Sequence, residues 1–238
     1  MTSAFYAVDP QFLDLTPVSQ HTWPASNNTA TPSPSHKVIW RIATTPQAPG
    51  EHHPTIFLPL ERSVVLQGLA TLFPQLSSTC TGPTPETLDA CLANTHTFTL
   101  FLATDTTCLP VPSSETPKAT ASPFQITAVV GCLTLVTLRL LMNSRAHIED
   151  LIVLDACRGQ GLGRGLMRRA LHEAFDVRGC KMCDLTSKPN RVEAWALYKS
   201  MGFWLRDTGA FRIYDPKLNI TGPPSAAPSS SSHVVKAP

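Results

Sequence analysis

Residues 157–166 read CRGQGLGRGL. Glycine stands at 159, 161, 163 and 165, directly after the strand-like HIEDLIV (147–153) and directly before the helix-like LMRRALHEAF (166–175). A helix opens with backbone N–H groups that lack an intrahelical acceptor and with a partial positive charge, so its start attracts anions. Glycines ahead of it remove side chains that would keep a phosphate at a distance, and they permit positive φ. The stretch therefore reads as a phosphate or pyrophosphate cradle, with Arg158 and Arg164 adding charge. Two common nucleotide loops fail on spacing. The dinucleotide fingerprint G-x-G-x-x-G meets Arg164 or Leu166 where its third glycine is required, and no Gly-Lys-Ser/Thr is present for a P-loop.

The neighbouring segments are regular. AHIEDLIVL (146–154) reads as a strand, followed by a helix from about Gly161 to Phe175 in which Leu162, Leu166, Ala170 and Ala174 form a stripe for packing on a sheet. CKMCDLTS (180–187) is a further strand, Arg191–Met201 a further helix closed by Gly202, and FRIY (211–214) the end of the core. Asn190 and Glu193 have capping-box spacing, so Asn190 is expected to cap that helix. Upstream, VIWRIAT (38–44), HTFTLFLAT (96–104) and ITAVVGCLTLV (126–136) read as strands, the last two paired. LERSVVLQGLATLF (60–73) places Val65, Leu69 and Leu72 on one helical face. TPETLDACLAN (84–94) reads as a helix capped by Thr84 with Pro85 in its first turn. Hairpins first, then strands alternating with helices, predict an α/β fold: a central, mixed, mostly antiparallel sheet flanked by helices.

Proline-rich stretches mark what lies outside that core. Residues 1–36 and 221–238 lack periodic apolar pattern and are expected to be disordered extensions of a domain over 37–220, and 105–123 is expected to be an insertion in a hairpin. A length of 238 residues, a net charge of +2 and 42% hydrophobic content fit one packed domain and point to neither nucleic acid nor an acidic polymer. Arg158, Arg164, Arg168 and Arg169 cluster around the glycine run, which favours a small anion. The seven cysteines include one tight pair, Cys180 and Cys183, without the second pair a structural zinc site needs, so no metal is expected. Reduced thiols fit an intracellular protein. The first residues match neither a secretory signal nor a transit peptide. The apolar run 126–142 is short for a membrane helix, and it contains Arg139 and three threonines, so no membrane association is expected. The cytoplasm is the expected compartment, with the nucleus also open.

The spacing that remains in the glycine stretch is Arg/Gln-x-x-Gly-x-Gly, carried by Arg158, Gly161 and Gly163. With it the chain resembles the GNAT superfamily of N-acetyltransferases, whose signature loop binds the pyrophosphate of acetyl-coenzyme A. IEDLIV looks like the family's fourth strand. Downstream, Asn190, Ala194, Leu197-Tyr198 and Gly202-Phe203 match its closing region, and LATLFPQLSS (69–78) is similar to the first helix and turn of certain members. The resemblance covers about Trp40 to Tyr214.

The resemblance implies a cofactor, a site and a reaction. Acetyl-CoA would be the co-substrate. Its pantetheine arm would enter between two splayed strands and bond the backbone of Leu151, Ile152 and Val153. A backbone N–H there would polarise the thioester carbonyl, a contact worth about 3 kcal/mol. Arg158, Gly159, Gln160, Gly161, Leu162, Gly163 and Arg164 would hold the pyrophosphate, with Asn190 adding a coenzyme contact. Tyr198 would be the general acid on the leaving thiolate. Glu149 is preferred to Asp150 as general base, because strand alternation sends them to opposite faces unless a bulge intervenes. The acceptor would be a primary amine on a small molecule or a protein, selected around Pro74–Pro83, and a homodimer is compatible with the fold. Two other function classes stay open. One is a non-catalytic acyl-CoA-binding module; the other is an unrelated fold that binds a nucleotide. Within the family, HIEDLIV…RGQGLG also resembles glucosamine-phosphate acetyltransferases, whereas LTSKPNR and LYKSMGF resemble the broad uncharacterised branch.

Overall fold

A computed structural model describes residues 5–12, 35–43, 57–77, 79–108 and 124–209. Seven strands, β1 (Phe5–Phe12), β2 (Ser35–Ala43), β3 (Phe57–Leu60), β4 (Phe98–Cys108), β5 (Phe124–Arg139), β6 (Ser144–Val153) and β7 (Met182–Leu185), join in one sheet. Their order is β3-β1-β2-β4-β5-β6-β7. Every neighbouring pair is antiparallel except β6 and β7, which run parallel. Among the described residues four α-helices accompany them: α1 (Arg62–Leu76), α2 (Pro85–Ala93), α3 (Leu162–His172) and α4 (Val192–Ser200). The fold is thus the mixed, mostly antiparallel sheet with flanking helices that the sequence pattern predicts.

Side-chain alternation divides the core into two layers. On one face Val38, Trp40, Ile42, Leu100, Leu102, Cys132 and Ile152 pack with Val65, Leu69 and Leu72 of α1 and Leu88 and Leu92 of α2. On the other, Ile39, Phe101, Ala103, Leu133, Leu135 and Ile148 meet Leu162, Leu166, Ala170 and Ala174, the stripe read from the sequence. Gly68 of α1 sits so close to β5 that a Cβ there would lie 2.5 Å from Val129 Cβ. That approach offsets the roughly 1 kcal/mol that glycine costs inside a helix. Thr84 caps α2 by accepting from Thr87 N–H at 3.2 Å, with Pro85 in the first turn, as expected.

Beyond α3 the chain makes a π-helical turn over Glu173–Val177. Arg178 then fastens it to the sheet. Its guanidinium pairs with Glu173 at 2.9 Å and donates to the carbonyls of Thr95 and His96 and to the hydroxyls of Thr99 and Thr137. Glu173 is 6% exposed, so this cation is its compensation.

Three sequence expectations change. Phe5–Phe12, inside the stretch expected to lack structure, forms β1, and Ala7 is fully buried. Pro10 hid it, since proline suits a strand interior only at a bulge, and the β1–β2 register does shift between Val8 and Gln11. Phe57–Leu60 forms the short edge strand β3 where a helix was expected to begin. The hairpin insertion begins later than expected, because Asp105 to Cys108 continue β4 and pair with β5 as far as Cys108↔Phe124. The expectations for FRIY and the C-terminal tail lie outside the described residues.

Candidate active site

The site is built where β6 loses a neighbour. β7 pairs with β6 from Arg145↔Met182 to Ile148↔Leu185 and stops, so among the described residues Glu149 to Val153 continue without a partner on that side. Leu154 N–H donates to Val130 O at 2.8 Å on the β5 side. Alternation then turns the backbone of Ile152 toward β5 and the N–H and C=O groups of Val153 toward the gap. Of the three residues expected to present backbone to a ligand, Val153 has this orientation. Ile152 instead puts its side chain into the α1/α2 core layer.

The β5–β6 register passes from Thr134↔Glu149 directly to Cys132↔Ile152, leaving Asp150 and Leu151 opposite the single Leu133. This is a β-bulge, and Asp150 adopts a left-handed φ of 50° within it. Thr134 Oγ1 donates to Asp150 Oδ2 at 2.9 Å, and the Cys132 thiol donates to the Asp150 carbonyl at 3.4 Å. Burial beside Asp150 pushes the Cys132 thiol well above its ordinary range. Ala146 and Ile148 face α3, so His147 and Glu149 face the opposite side, where Cys132 and Thr134 also point. The bulge thus brings Asp150 to the same face as Glu149, and both line a small cleft of about 90 Å³ with Tyr198, Leu76 and Arg191. Opposite orientation of the two carboxylates, expected for an unbroken strand, does not hold. Asp150 spends one oxygen on Thr134. Glu149 is half exposed, with its Oε1 3.1 Å from His147 Nε2.

Next along the chain comes the glycine stretch. Gly159 and Gly161 adopt φ of 76° and 79°, and a Cβ at either would meet nothing within 4 Å, so these positions are held open by backbone conformation and not by crowding. Gly161 is the N-cap of α3 and offers no side-chain cap. The first hydrogen bond of the helix runs from Gly165 N–H to Gly161 O at 2.9 Å. The N–H groups of Leu162, Gly163 and Arg164 precede it and point toward the helix mouth. Gly163 lies tightly under α4, where an added Cβ would stand 3.3 Å from Leu197 Cδ2. Arg158 pairs with Asp155 at 2.6 Å, and Arg164 donates to Ser200 Oγ at 2.7 Å.

A cleft of about 680 Å³ joins these parts. It runs from the loop, past Leu151 and Val153, to α4 and the end of α1. Gly159, Gly161, Leu162, Gly163, Arg158, Arg164, Asn190 and Tyr198 all border it. Gln160 does not border it, and its side chain turns back to Ala156 O at 3.5 Å. Asn190 is not the helix cap. Arg191 occupies that position, no side chain caps α4, and the capping box with Glu193 is not made. Released from that task, Asn190 is exposed at the cleft wall.

Tyr198, 8% exposed, lies on the α3 side of the sheet and meets Phe203 edge-on, with ring centroids 6.3 Å apart. Burial pushes its phenol above the ordinary tyrosine range, and the charge of Arg191 pulls partly the other way. It is therefore a protonated donor at neutral pH. Three site residues escaped the sequence reading. Gln75, from the end of α1, accepts from Asp155 N–H at 3.0 Å and ties that helix to the loop after β6. Arg191 borders both clefts. His147 pairs with Glu149, and its two-residue offset on one strand was the available signal. Among the described residues no group of His, Cys, Asp and Glu could hold a metal ion, and no helix is long and apolar enough to cross a membrane.

Comparison with solved structures finds a proposed acetyltransferase from Agrobacterium tumefaciens str. C58, 27% identical over 63% of this chain and 93% of that one, with a TM-score of 0.48. It also finds glucosamine-6-phosphate N-acetyltransferase from Arabidopsis thaliana, at 19% identity over 66% and 95%, TM-score 0.48. A third is an aminoglycoside acetyltransferase from an uncultured soil metagenomic sample, in complex with sisomicin, at 20% identity over 63% and 86%, TM-score 0.46. No curated protein sequence gives a significant match. The model of the acetyltransferase (GNAT) family matches residues 118–203, which hold the parted strands, the glycine loop and α4. Over that segment the chain is similar to the GNAT acetyltransferases.

Proposed function

We propose that the protein is an N-acetyltransferase that moves the acetyl group of acetyl-CoA to a primary amine by direct attack in a ternary complex. The observation that carries this is the unpaired end of β6. Its free backbone edge leads from the buried, protonated Tyr198 to the open helix mouth at Gly161–Arg164. Leu151 and Val153 would bind the pantetheine arm as an added strand, and one of their N–H groups would polarise the thioester carbonyl. The loop Arg158–Arg164 would hold the pyrophosphate, with Arg158 leaving Asp155 to do so, and Asn190 would contact the coenzyme from the opposite wall.

The acceptor amine is an ammonium ion at neutral pH and must lose a proton before attack. Glu149 accepts it, because the Asp150 carboxylate is already engaged by Thr134. The amine nitrogen then bonds to the thioester carbon, and the carbon–sulfur bond breaks. Tyr198 donates its proton to the leaving thiolate and is reprotonated from the second proton lost by the nitrogen. One proton is released per turnover. Most of the rate comes from holding the two reactants in line.

Two measurements test the reading. The first is thermal unfolding with acetyl-CoA, CoA, NAD and ATP added separately. A ligand at ~100 times its dissociation constant adds ~2.7 kcal/mol, or roughly 5–10 °C here. A shift with the coenzyme A pair alone supports the donor, and a shift with NAD or ATP instead refutes it. The second is thiol release from acetyl-CoA with a panel of primary amines that includes glucosamine 6-phosphate. Binding without release from any amine would favour a non-catalytic acyl-CoA-binding module.

A further inference from the structure

We propose that His147 is a positioning residue and proton outlet for Glu149, carrying the proton taken from the acceptor amine out to solvent; this rests on the acetyltransferase reading above. The argument begins with the strand. Residues two apart on β6 share a face, and His147 and Glu149 share the one opposite α3. Nε2 of His147 lies 3.1 Å from Oε1 of Glu149. The side chains are 26% and 51% exposed, so Glu149 reaches the small cleft beside Tyr198 while His147 stands behind it toward the strand's start.

The surroundings favour a relay over a simple ion pair. β5 offers Val136 opposite His147, and β7 offers Asp184 in the parallel register. Asp184 is already paired with Arg206 at 3.2 Å and lies 4.0 Å from Arg145. Asp150, the remaining carboxylate nearby, is bonded to Thr134. Glu149 is thus the carboxylate His147 can serve, and it is the one on the cleft. A carboxylate that takes a proton from each acceptor must return it before the next turnover. Solvent becomes a poor recipient once an acceptor and the coenzyme fill the cleft. A neutral imidazole carrying its proton on Nδ1 accepts the proton of the Glu149 carboxyl at Nε2 and sheds the Nδ1 proton to water, and exchange with water at the two ring nitrogens restores the starting tautomer, so charge and protons balance over the cycle.

The test uses the full-length protein, acetyl-CoA and the fastest amine of the panel. His147→Ala is expected to lower turnover by about 10²-fold, the lower end of what acid–base groups contribute, without changing KM for acetyl-CoA. Free imidazole in the assay is expected to restore a large part of that rate. His147→Gln, which keeps a hydrogen-bond donor near Glu149 and cannot carry a proton, is expected to be as slow as the alanine variant. The double variant His147→Ala/Glu149→Gln is expected to be no slower than Glu149→Gln alone, because the two residues act as one unit. Full activity of His147→Gln, or independent losses that multiply in the double variant, would overturn the relay. Should His147→Ala unfold, His147→Gln and imidazole dependence still decide. A wild-type protein that binds acetyl-CoA and acetylates none of the amines would overturn the acetyltransferase reading itself, and that result is distinct from either failure of the relay.

Discussion

Gly161→Ala separates the stability of the glycine loop from its function. Gly161 holds φ of 79° as the N-cap of α3, and a Cβ there would meet nothing within 4 Å. The substitution therefore meets no steric clash, only the left-handed backbone penalty of about 1–2 kcal/mol. Loss of glycine freedom in the unfolded chain offsets about 0.4–1 kcal/mol of that. The net cost is about 1 kcal/mol, a fall of about 2–4 °C in Tm for a domain of this size. The empty space around Gly161 is also where a pyrophosphate would lie, so the new methyl group holds the anion away from the helix N–H groups. Losing one charge-assisted hydrogen bond costs about 1.5–3 kcal/mol, or roughly 10- to 100-fold in affinity. At the acetyl-CoA concentration that stabilises the wild type by ~2.7 kcal/mol, the variant would gain only ~1.4 kcal/mol at tenfold weaker binding and ~0.4 kcal/mol at a hundredfold. Differential scanning fluorimetry with and without acetyl-CoA reads both numbers. A variant that loses its 2–4 °C yet keeps the full ligand shift would refute the assignment of this loop as the pyrophosphate site.

Other outcomes follow from particular contacts. Tyr198→Phe is expected to lower turnover by about 10²-fold while sparing acetyl-CoA affinity, and unchanged turnover would remove its role as acid. The same phenol gives a pH dependence. Its folded pKa is raised, so its contribution to stability is complete below the unfolded tyrosine value near ~10 and is lost as pH rises from there through the folded value. Urea unfolding between pH 9 and 11 is expected to show that loss in the wild type and less of it in Tyr198→Phe. Arg178→Ala leaves the buried Glu173 carboxylate uncompensated, at a cost of about 3–5 kcal/mol by urea unfolding, and adding Glu173→Gln is expected to recover part of it. Burial raises the Cys183 thiol to about 12 and Cys132 beyond that, so iodoacetamide at pH 8 is expected to label both slowly in the native state and readily in urea.

What the sequence made legible was whatever depends on local repetition. Leu162, Leu166, Ala170 and Ala174 recur at helical spacing, and the structure buries all four. The glycines announced an open helix start because nothing but the missing side chains is needed to read it. What stayed hidden was set by pairing. The bulge at Asp150 depends on how β5 and β6 register, and no property of the string HIEDLIV reveals that an extra residue is accommodated there. Asn190 and Glu193 have the spacing of a capping box, yet α4 begins one residue later than that box requires. Local hydrogen-bond chemistry proposes such a cap, whereas in the structure a turn closed by Arg191 N–H donating to Lys188 O at 3.1 Å leaves Asn190 outside the cap position. β1 was missed for a related reason, since a proline inside a strand is acceptable only where a partner strand provides a bulge.

The bulge and the gap are two halves of one arrangement. An unbroken β6 paired with β7 along its whole length would bury the N–H and C=O groups of Leu151 and Val153 in a ladder and close the cleft. The short β7, ending at Leu185, leaves that side of β6 open beyond Ile148 among the described residues. Unpaired backbone groups in a partly apolar cleft weaken the free protein, by an amount set by how well water reaches them. That cost is tolerable because the rest of β6 is held by β5, with Thr134 and Cys132 fastening Asp150 in its left-handed conformation. The bulge also turns Asp150 onto the face of Glu149, and the side chain so turned is the one that Thr134 occupies. Glu149 is thereby left as the more exposed carboxylate at the cleft, with a histidine behind it. If Thr134→Val frees Asp150, the two carboxylates become competitors for the same proton. A Glu149→Gln variant carrying Thr134→Val is then expected to regain part of the turnover that Glu149→Gln alone loses. No recovery in a variant that still folds would mean that Thr134 is not what disqualifies Asp150, and that its position in the bulge alone keeps it from the acceptor.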